Sequence, residues 1–394
     1  MKKCFIVILV ILIFVTNFFV YSDERVYCEE SFEIESELKE NIDEQLSDLD
    51  FSNIENVYGK IDATQNFFNN NSFFENVKAL ISGDLSFKSN NFLHHLFSIF
   101  TADILEFLPS ICLLVAIVIL YSIVSGVQIN SGSDIGKVMH FACYGSIVII
   151  LIAGITGVIG LTTSTLATIK DQMDAIFPVL LTLLTALGGN TSVAVYQPAM
   201  GALSGAVATI FTSILLPIFT FKVVFSILSN LSDGIKFNKF SEFMGTCFKW
   251  IMGLAITIFT AFISIQGIMA GSVDGISIRT AKYTIKGGVP IIGGFLSDGF
   301  GLIMASSSLI KNAVGVSGLL LLIITVLSPV IKIMVFSLLL KLVSAILEPV
   351  ANTKITNVIN EMGKSVSSLI ALILGAGFMY FIITGLVMCG ANVI

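Results

Sequence analysis

The sequence predicts an all-α fold: a polytopic helical membrane protein with six to eight spans or re-entrant segments, preceded by a small helical extracytoplasmic domain. Three observations carry that prediction. Charged residues make up 12% of the chain, hydrophobic residues 55%, and the mean hydropathy is +0.94. A soluble domain carries about a quarter charged residues, and a water-soluble globule cannot bury this much apolar surface. Charge is also segregated, since 18 of the 27 acidic residues fall between Asp23 and Glu106. From Phe107 onward, runs of Leu, Ile, Val and Phe recur at the length of a membrane crossing, about 20 residues, with short polar clusters between them.

Met1-Lys2-Lys3, the apolar run over residues 4–20 and the small residues before Asp23 form the three regions of an export signal. Residues 1–22 are therefore expected to be a signal peptide cleaved after Ser22 or, if retained, a signal anchor. Asp23-Glu24-Arg25 separates Cys28 from the apolar run, which argues against a lipidated cysteine. Residues 23–106 read as an acidic extracytoplasmic helical domain. Apolar residues recur there every three or four positions: Ile34, Leu38, Ile42, Leu46 and Leu49; Phe73, Phe74, Val77, Leu80 and Ile81; then Phe92, Leu93, Leu96, Phe97, Phe100, Ile104 and Leu105. Each set is the stripe of an amphipathic helix. Asn69-Asn70-Asn71 and Ser89-Asn90-Asn91 read as the loops between them. The third helix is expected to lie on the outer membrane surface or to pack on the bundle.

Residues 107–394 read as the transmembrane domain. Residues 107–127 and 139–160 are expected spans, joined by a polar loop over 128–138. The Ser/Thr-rich stretch 162–168 reads as a solvated loop or a helix start. Residues 176–187 are short for a crossing and end at Gly188-Gly189, which suits half of a re-entrant hairpin. Residues 193–221 are long enough to span, but Pro198 and Pro217 interrupt them. Residues 248–271 form a strong span and 288–310 a weaker one holding Asp298. Residues 313–350 are too long for one crossing, and Pro329 is expected to divide them into a hairpin or two half-helices; residues 366–390 form the last span. Lys and Arg favour cytoplasmic loops, where Lys137 and the cluster Lys236, Lys239 and Lys249 fit. Arg279, Lys282 and Lys286 flank the other end of 248–271, so either that segment folds back around Gly267 or one cluster lies outside.

There is no Walker A loop, G-x-S-x-G elbow, H-E-x-x-H or kinase signature set, so no enzyme is expected and no catalytic residue or cofactor is assigned. Six cysteines without C-x-x-C spacing and three histidines without H-x-x-x-H spacing point to no metal site. The informative residues are ionisable or kinking ones within the apolar body, because a charge there is costly unless it faces protein or water. Asp298, Lys311 and Lys332 are candidates for a polar pathway in which Asp298 pairs with one of the lysines. The alternative is that Lys311 and Lys341 sit at helix ends and snorkel to the interface. Gln197, Pro198 and Pro329 suit broken transport helices or ordinary packing positions. The glycine-rich stretch from Gly293 to Gly301 lacks G-x-G-x-x-G and any βαβ context, so it reads as a close-packed or unwound membrane segment.

Gly293-Gly294-Phe295-Leu296-Ser297-Asp298, then Ser306-Ser307-Ser308-Leu309-Ile310-Lys311-Asn312-Ala313-Val314-Gly315, then Val316-Ser317-Gly318 form a distinctive segment. With Tyr196-Gln197-Pro198 and the order of signal, acidic domain and multi-span body, it resembles the stage III sporulation protein AE family. The resemblance implies a membrane subunit, with a permease-like core role, of the secretion-system-like channel complex between mother cell and engulfed forespore. It implies as partners the other stage IIIA sporulation proteins: ring-forming components, an ATPase and small membrane subunits. Through them it also implies the forespore-side stage II sporulation protein Q. The expected location is the mother-cell membrane around the forespore, with the N-terminal domain in the intermembrane space; lipid, not nucleic acid, is the surrounding partner. The alternatives are a stand-alone secondary transporter of small solutes and a pore-less membrane scaffold.

Overall fold

The computed structural model describes residues 32–61, 72–83, 89–127, 134–231, 237–288 and 293–390. The expected signal peptide, Cys28 and the Asn69-Asn70-Asn71 loop lie outside them. Among the described residues every regular element is helical.

The N-terminal region holds α1 (Phe32–Ser47), α2 (Ser52–Gly59) and α3 (Phe73–Ser82). The first two apolar stripes turn inward as expected, burying Ile42 and Leu46 of α1 and Phe73 and Val77 of α3. α2 adds a helix the periodicity did not single out, burying Ile54, Val57 and Tyr58 at i, i+3 and i+4. Its Glu55 carboxylate accepts from the Phe74 backbone N–H at 3.0 Å, and Asn76 donates to the Tyr58 hydroxyl at 3.0 Å, so α2 and α3 share polar as well as apolar contacts. Burial pushes the Tyr58 pKa up to about 12. α3 opens with a reciprocal capping box: the Ser72 hydroxyl accepts from Glu75 N, and the Ser72 backbone N–H donates to the Glu75 carboxylate. It closes at Gly83, whose φ of 75° only glycine adopts without strain.

The body consists of α4 (Ser89–Val127), α5 (Asp134–Ala186), α6 (Asn190–Ala206), a π-helical stretch (Val207–Leu215), α7 (Leu216–Leu231), α8 (Asn238–Gly288), α9 (Gly293–Leu347) and α10 (Thr353–Cys389). Among the described residues, six lengths are long and apolar enough to cross a bilayer: Leu96–Ile123, Phe141–Ala186, Asn190–Ser229, Asn238–Ile265, Gly301–Leu347 and Thr353–Cys389. The chain is a polytopic all-α membrane protein. The most apolar windows of α9 and α10 are 56% and 61% buried, against 17% in α4 and α8, so the α9–α10 pair is the centre and α4 and α8 are the rim. These two helices run antiparallel. Gly315 meets Met388, Gly318 meets Tyr380 and Gly377 meets Val326, while Ser337 donates to the Gly363 carbonyl at 2.8 Å and Ser344 to the Thr356 carbonyl at 2.9 Å. Small residues and short hydroxyls hold membrane helices together in this way, because lipid supplies no hydrophobic drive between them.

Several expected breaks are continuous helix. Ser89-Asn90-Asn91 is the first turn of α4, and the third amphipathic stripe and the first span are one helix. Residues 162–168 lie within α5, where Thr162 is buried and donates to the Val158 carbonyl at 2.8 Å; a hydroxyl satisfied by its own helix needs no loop. Residues 176–187 extend α5 and do not form half a hairpin. The polar turn before them is held by the Lys170–Asp174 pair at 2.5 Å and by Gln172 donating to Thr325. Pro329 does not divide α9: it removes one helical hydrogen bond, and packing against α5 and α10 supplies the rest. The glycine-rich stretch from Gly293 is helical, not unwound. α8 is likewise continuous, so the basic clusters around Lys239 and Arg279 stand toward its opposite ends. The interruption expected in 193–221 takes the form of the π-helical stretch, which ends just before Pro217, a residue with no N–H to offer.

At 1.5 Å per residue the 55-residue α9 is about 80 Å long, far more than the roughly 30 Å of bilayer hydrocarbon. The bundle therefore projects beyond the bilayer. α1 and α3 pack on α9, and α2 on α5. Gln45 fixes the register: its Nε2 donates to Ser306 Oγ at 2.7 Å and its Oε1 accepts from Ser307 Oγ at 2.6 Å. The N-terminal helices thus sit at the end of the bundle where α9 begins.

Candidate functional site

One face of α4 presents Asp103, Glu106, Phe107, Ser110, Ile111 and Leu114, spaced i, i+3, i+4, i+7, i+8 and i+11, so acid and apolar groups share a single stripe. Opposite it, α9 presents Lys332, Phe336 and Leu340 one turn apart. The Lys332 ammonium lies 2.6 and 2.7 Å from the two Glu106 carboxylate oxygens and 5.9 Å from the centre of the Phe107 ring. Below this pair the Phe107 and Phe336 rings approach to 4.8 Å between centres. Gly154 of α5 makes room for Phe336: a Cβ there would come within 2.6 Å of the ring. At Gly157, one turn on, a Cβ would meet nothing within 4 Å.

Between α4 and α5, floored by α9, runs a groove of about 690 Å³ with Glu106, Lys332 and Ser110 among its polar lining and Ile111, Leu114, Ile150 and Leu340 among its apolar lining. Asp103, one turn before Glu106, is 8% exposed and its Oδ2 has no hydrogen-bond partner. It lies within electrostatic reach of both Lys332 and Glu106. The groove therefore holds the Glu106 carboxylate paired with the Lys332 ammonium, with Asp103 buried beside them outside its lining. Pro109 lies in the same turns of α4 and has no N–H to donate to the Leu105 carbonyl.

Of the residues nominated from sequence, Lys332 is the one the structure brings into this site, and its acidic partner is Glu106. Lys311 lies in mid-helix, fully buried, and does not snorkel from a helix end; its ammonium donates to the Gly390 carbonyl at the C-terminus of α10, where a cation meets the negative end of the helix dipole. Lys341 reaches Ser367 Oγ at 3.2 Å. Gln197 and Pro198 are exposed on α6; Gln197 lines a second cleft, of about 420 Å³, with Asp174, Pro178 and Thr182 of α5. Asp174 is already engaged by Lys170 and by Ser204, which donates to it at 2.6 Å. Pro329 sits within α9, one turn before Lys332. Asp298 is in the first turns of α9, and its side chain lies outside the described ones. Sequence reasoning missed Asp103 and Glu106 because it grouped them with the acidic N-terminal domain; the signal was their i, i+3 spacing with Phe107 and Ser110 at the start of an apolar run.

Among the described residues no group of three or more His, Cys, Asp or Glu could hold a metal ion. Two comparisons with known proteins point to one family. The model of the family described as stage III sporulation protein AE matches residues 71–391. The Stage III sporulation protein AE of Bacillus subtilis (strain 168) is 25% identical over 315 residues, covering 79% of this chain and 78% of that protein. No solved structure matches. The family match takes in α3 to α10, including the charged groove and Ser306-Ser307, while Gln45 on their partner helix α1 lies outside it. This chain belongs to the stage III sporulation protein AE family.

Proposed function

We propose that the chain is a non-enzymatic membrane subunit, with a permease-like core role, of the channel complex between mother cell and engulfed forespore, working with the other stage IIIA proteins. Family membership is the observation that carries this reading, and it supports a role in sporulation directly. The arrangement of charge supports the proposed orientation. Lys239 and Lys354 open α8 and α10, at the end where α4 and α9 finish and the Ser122 hydroxyl donates to the Val350 carbonyl. The acidic N-terminal helices pack at the other end. The excess of Lys and Arg on cytoplasmic loops supports an orientation with the α10 start in the mother-cell cytoplasm and α1 to α3 in the intermembrane space. Arg279, Lys282 and Lys286, toward the other end of α8, run against this bias. Deleting the gene in its native spore former tests the role: heat-resistant spore yield is expected to collapse after engulfment, and a normal yield removes the proposal.

A further inference from the structure

We infer that the cleft between α5 and α6 holds water at bilayer depth and admits small hydrophilic cations in preference to anions, from the end of the bundle that carries α1 to α3. Its hydration stands on the fold alone, while its use as part of a passage rests on the channel reading. α5, α8 and α10 run in one direction. The last turns of α7 meet the first turns of both α5, through Tyr144 and the Ile227 carbonyl, and α8, through Phe225 and Phe240. Phe177 of α5 then meets Tyr380 of α10 at 5.4 Å and Leu184 lies beside Gly390, while Met252 of α8 lies against Gly375. Counted from these contacts at about 1.5 Å per residue, Leu254, Ile258 and Phe262 stand level with Asp174, Pro178 and Thr182 to within about a turn.

The outward faces at this level differ in kind. Leu254, Ile258 and Phe262 are 59%, 60% and 40% exposed, as on a helix that faces lipid. Between Ile152 and Ile214, through the second half of α5 and all of α6, no large apolar side chain is exposed. Asp171, Asp174, Pro178, Gln197 and Gly201 are exposed there instead. The cleft of about 420 Å³ lies between these two helices, with Thr182 and Thr185 also in its lining. Both threonines donate to carbonyls of their own helix, Pro178 at 3.0 Å and Leu181 at 2.9 Å, so they alone would tolerate lipid. A half-exposed carboxylate would not: Asp174 keeps 49% of its side chain exposed beside Lys170, and a charge at this depth must face protein or water. Polar groups on both walls give water its partners. The cleft deepens from Thr185, near the turn at Gly188, to Asp174, about 16 Å along α5. At its foot Asp171 and Asp174 against Lys170 leave one surplus negative charge, whose field the protein walls concentrate.

The test uses the full chain in lipid nanodiscs, which leave both membrane faces open, with single cysteines in a cysteine-free background. Two methanethiosulfonate reagents probe them, one carrying a trimethylammonium and one a sulfonate. Pro178→Cys is expected to react about tenfold faster than Ile258→Cys, whose thiol lies at the same level in lipid and stays protonated. The cationic reagent is expected to outpace the anionic one at position 178 by about fivefold, and Asp174→Asn to bring that ratio to about one. Gly201→Leu adds a side chain where a Cβ meets nothing within 4 Å, and is expected to slow labelling at position 178 to the rate at position 258. Elution volume and helical circular dichroism check folding; if Pro178→Cys fails to fold, Gln197→Cys on the facing wall takes its place in each comparison. Position 178 reacting no faster than position 258, a charge ratio unmoved by Asp174→Asn, or labelling untouched by a folded Gly201→Leu protein each overturns the inference. Spore yield reads the channel role separately: a dry cleft leaves that role standing, and normal sporulation without the gene removes the passage and leaves the hydrated cleft.

Discussion

A lysine in an apolar helix asks for a partner, and Lys332 finds Glu106 at 2.6 Å. Removing the acid leaves the ammonium stranded beside Phe107 and Phe336. Glu106→Gln is expected to destabilise the bundle by about 2 to 3 kcal/mol, in line with the cost of an unpaired charge in a span; the thermal unfolding midpoint in detergent measures it. The exchanged pair Glu106→Lys with Lys332→Glu is expected to recover most of that loss, and no recovery would show that the two side chains act separately. Gly154 is a second residue-scale test. Gly154→Leu is expected to cost about 1 to 3 kcal/mol by driving into the Phe336 ring, whereas Gly157→Leu is expected to be nearly neutral for stability. Lys332 was legible in the sequence because a charge inside a hydrophobic run is conspicuous. Its partner was not, because Glu106 sits at the seam between an acidic segment and an apolar one, and composition alone assigns it to the former. Lys311 shows the opposite limit: sequence marks it as unusual, but only the fold brings the C-terminus of α10 to its ammonium.

At the scale of elements, helix type was readable except at α2, since a period of three to four residues marks α1 and α3 and unbroken apolar runs mark the spans. Helix ends were less readable. Pro329, the Thr162–Thr168 cluster and the glycines after Gly293 all look like punctuation, yet α5 and α9 pass through them because neighbouring helices and i−4 hydroxyl bonds satisfy the backbone that these residues disturb. The docking of the N-terminal helices left no sequence signal, since a glutamine facing two serines across more than 250 residues has no local pattern. Gln45→Ala is expected to remove the two short hydrogen bonds to Ser306 and Ser307, about 0.5 to 1.5 kcal/mol each, with the longer one to the Ile303 carbonyl, and to speed limited proteolysis of α1 and α2 in the membrane-bound protein; unchanged cleavage would contradict the clamp. Tyr58 gives this region a pH signature. Its pKa is raised from 10.0 to about 12, so the folded state favours the neutral phenol. That stabilisation is complete below pH 10 and is lost as pH rises toward 12. The N-terminal helices of Tyr58→Phe are therefore expected to show a weaker loss of protease resistance across that alkaline window than the parent.

At the scale of the bundle, the six apolar lengths among the described residues put the N-terminal helices and the end of α10 at one end, with the starts of α8 and α10 at the other. Single cysteines in a cysteine-free background test this arrangement. A label that cannot cross the membrane is expected to reach position 44 from outside and position 353 only after permeabilisation; the reverse pattern would invert the proposed orientation. The family and the membrane class were legible from the sequence, the first through the Gly293–Gly318 segment and the second through hydropathy. The charged groove was not, because it is assembled from three helices far apart in the chain. The measurement that bears most directly on the proposed role is purification of the tagged, full-length protein from sporulating cells, with mass spectrometry of what accompanies it. The other stage IIIA proteins are expected in fixed ratio to the tagged chain. Recovery of the chain alone, from cells that hold those proteins in the same membrane, would contradict its place in the complex.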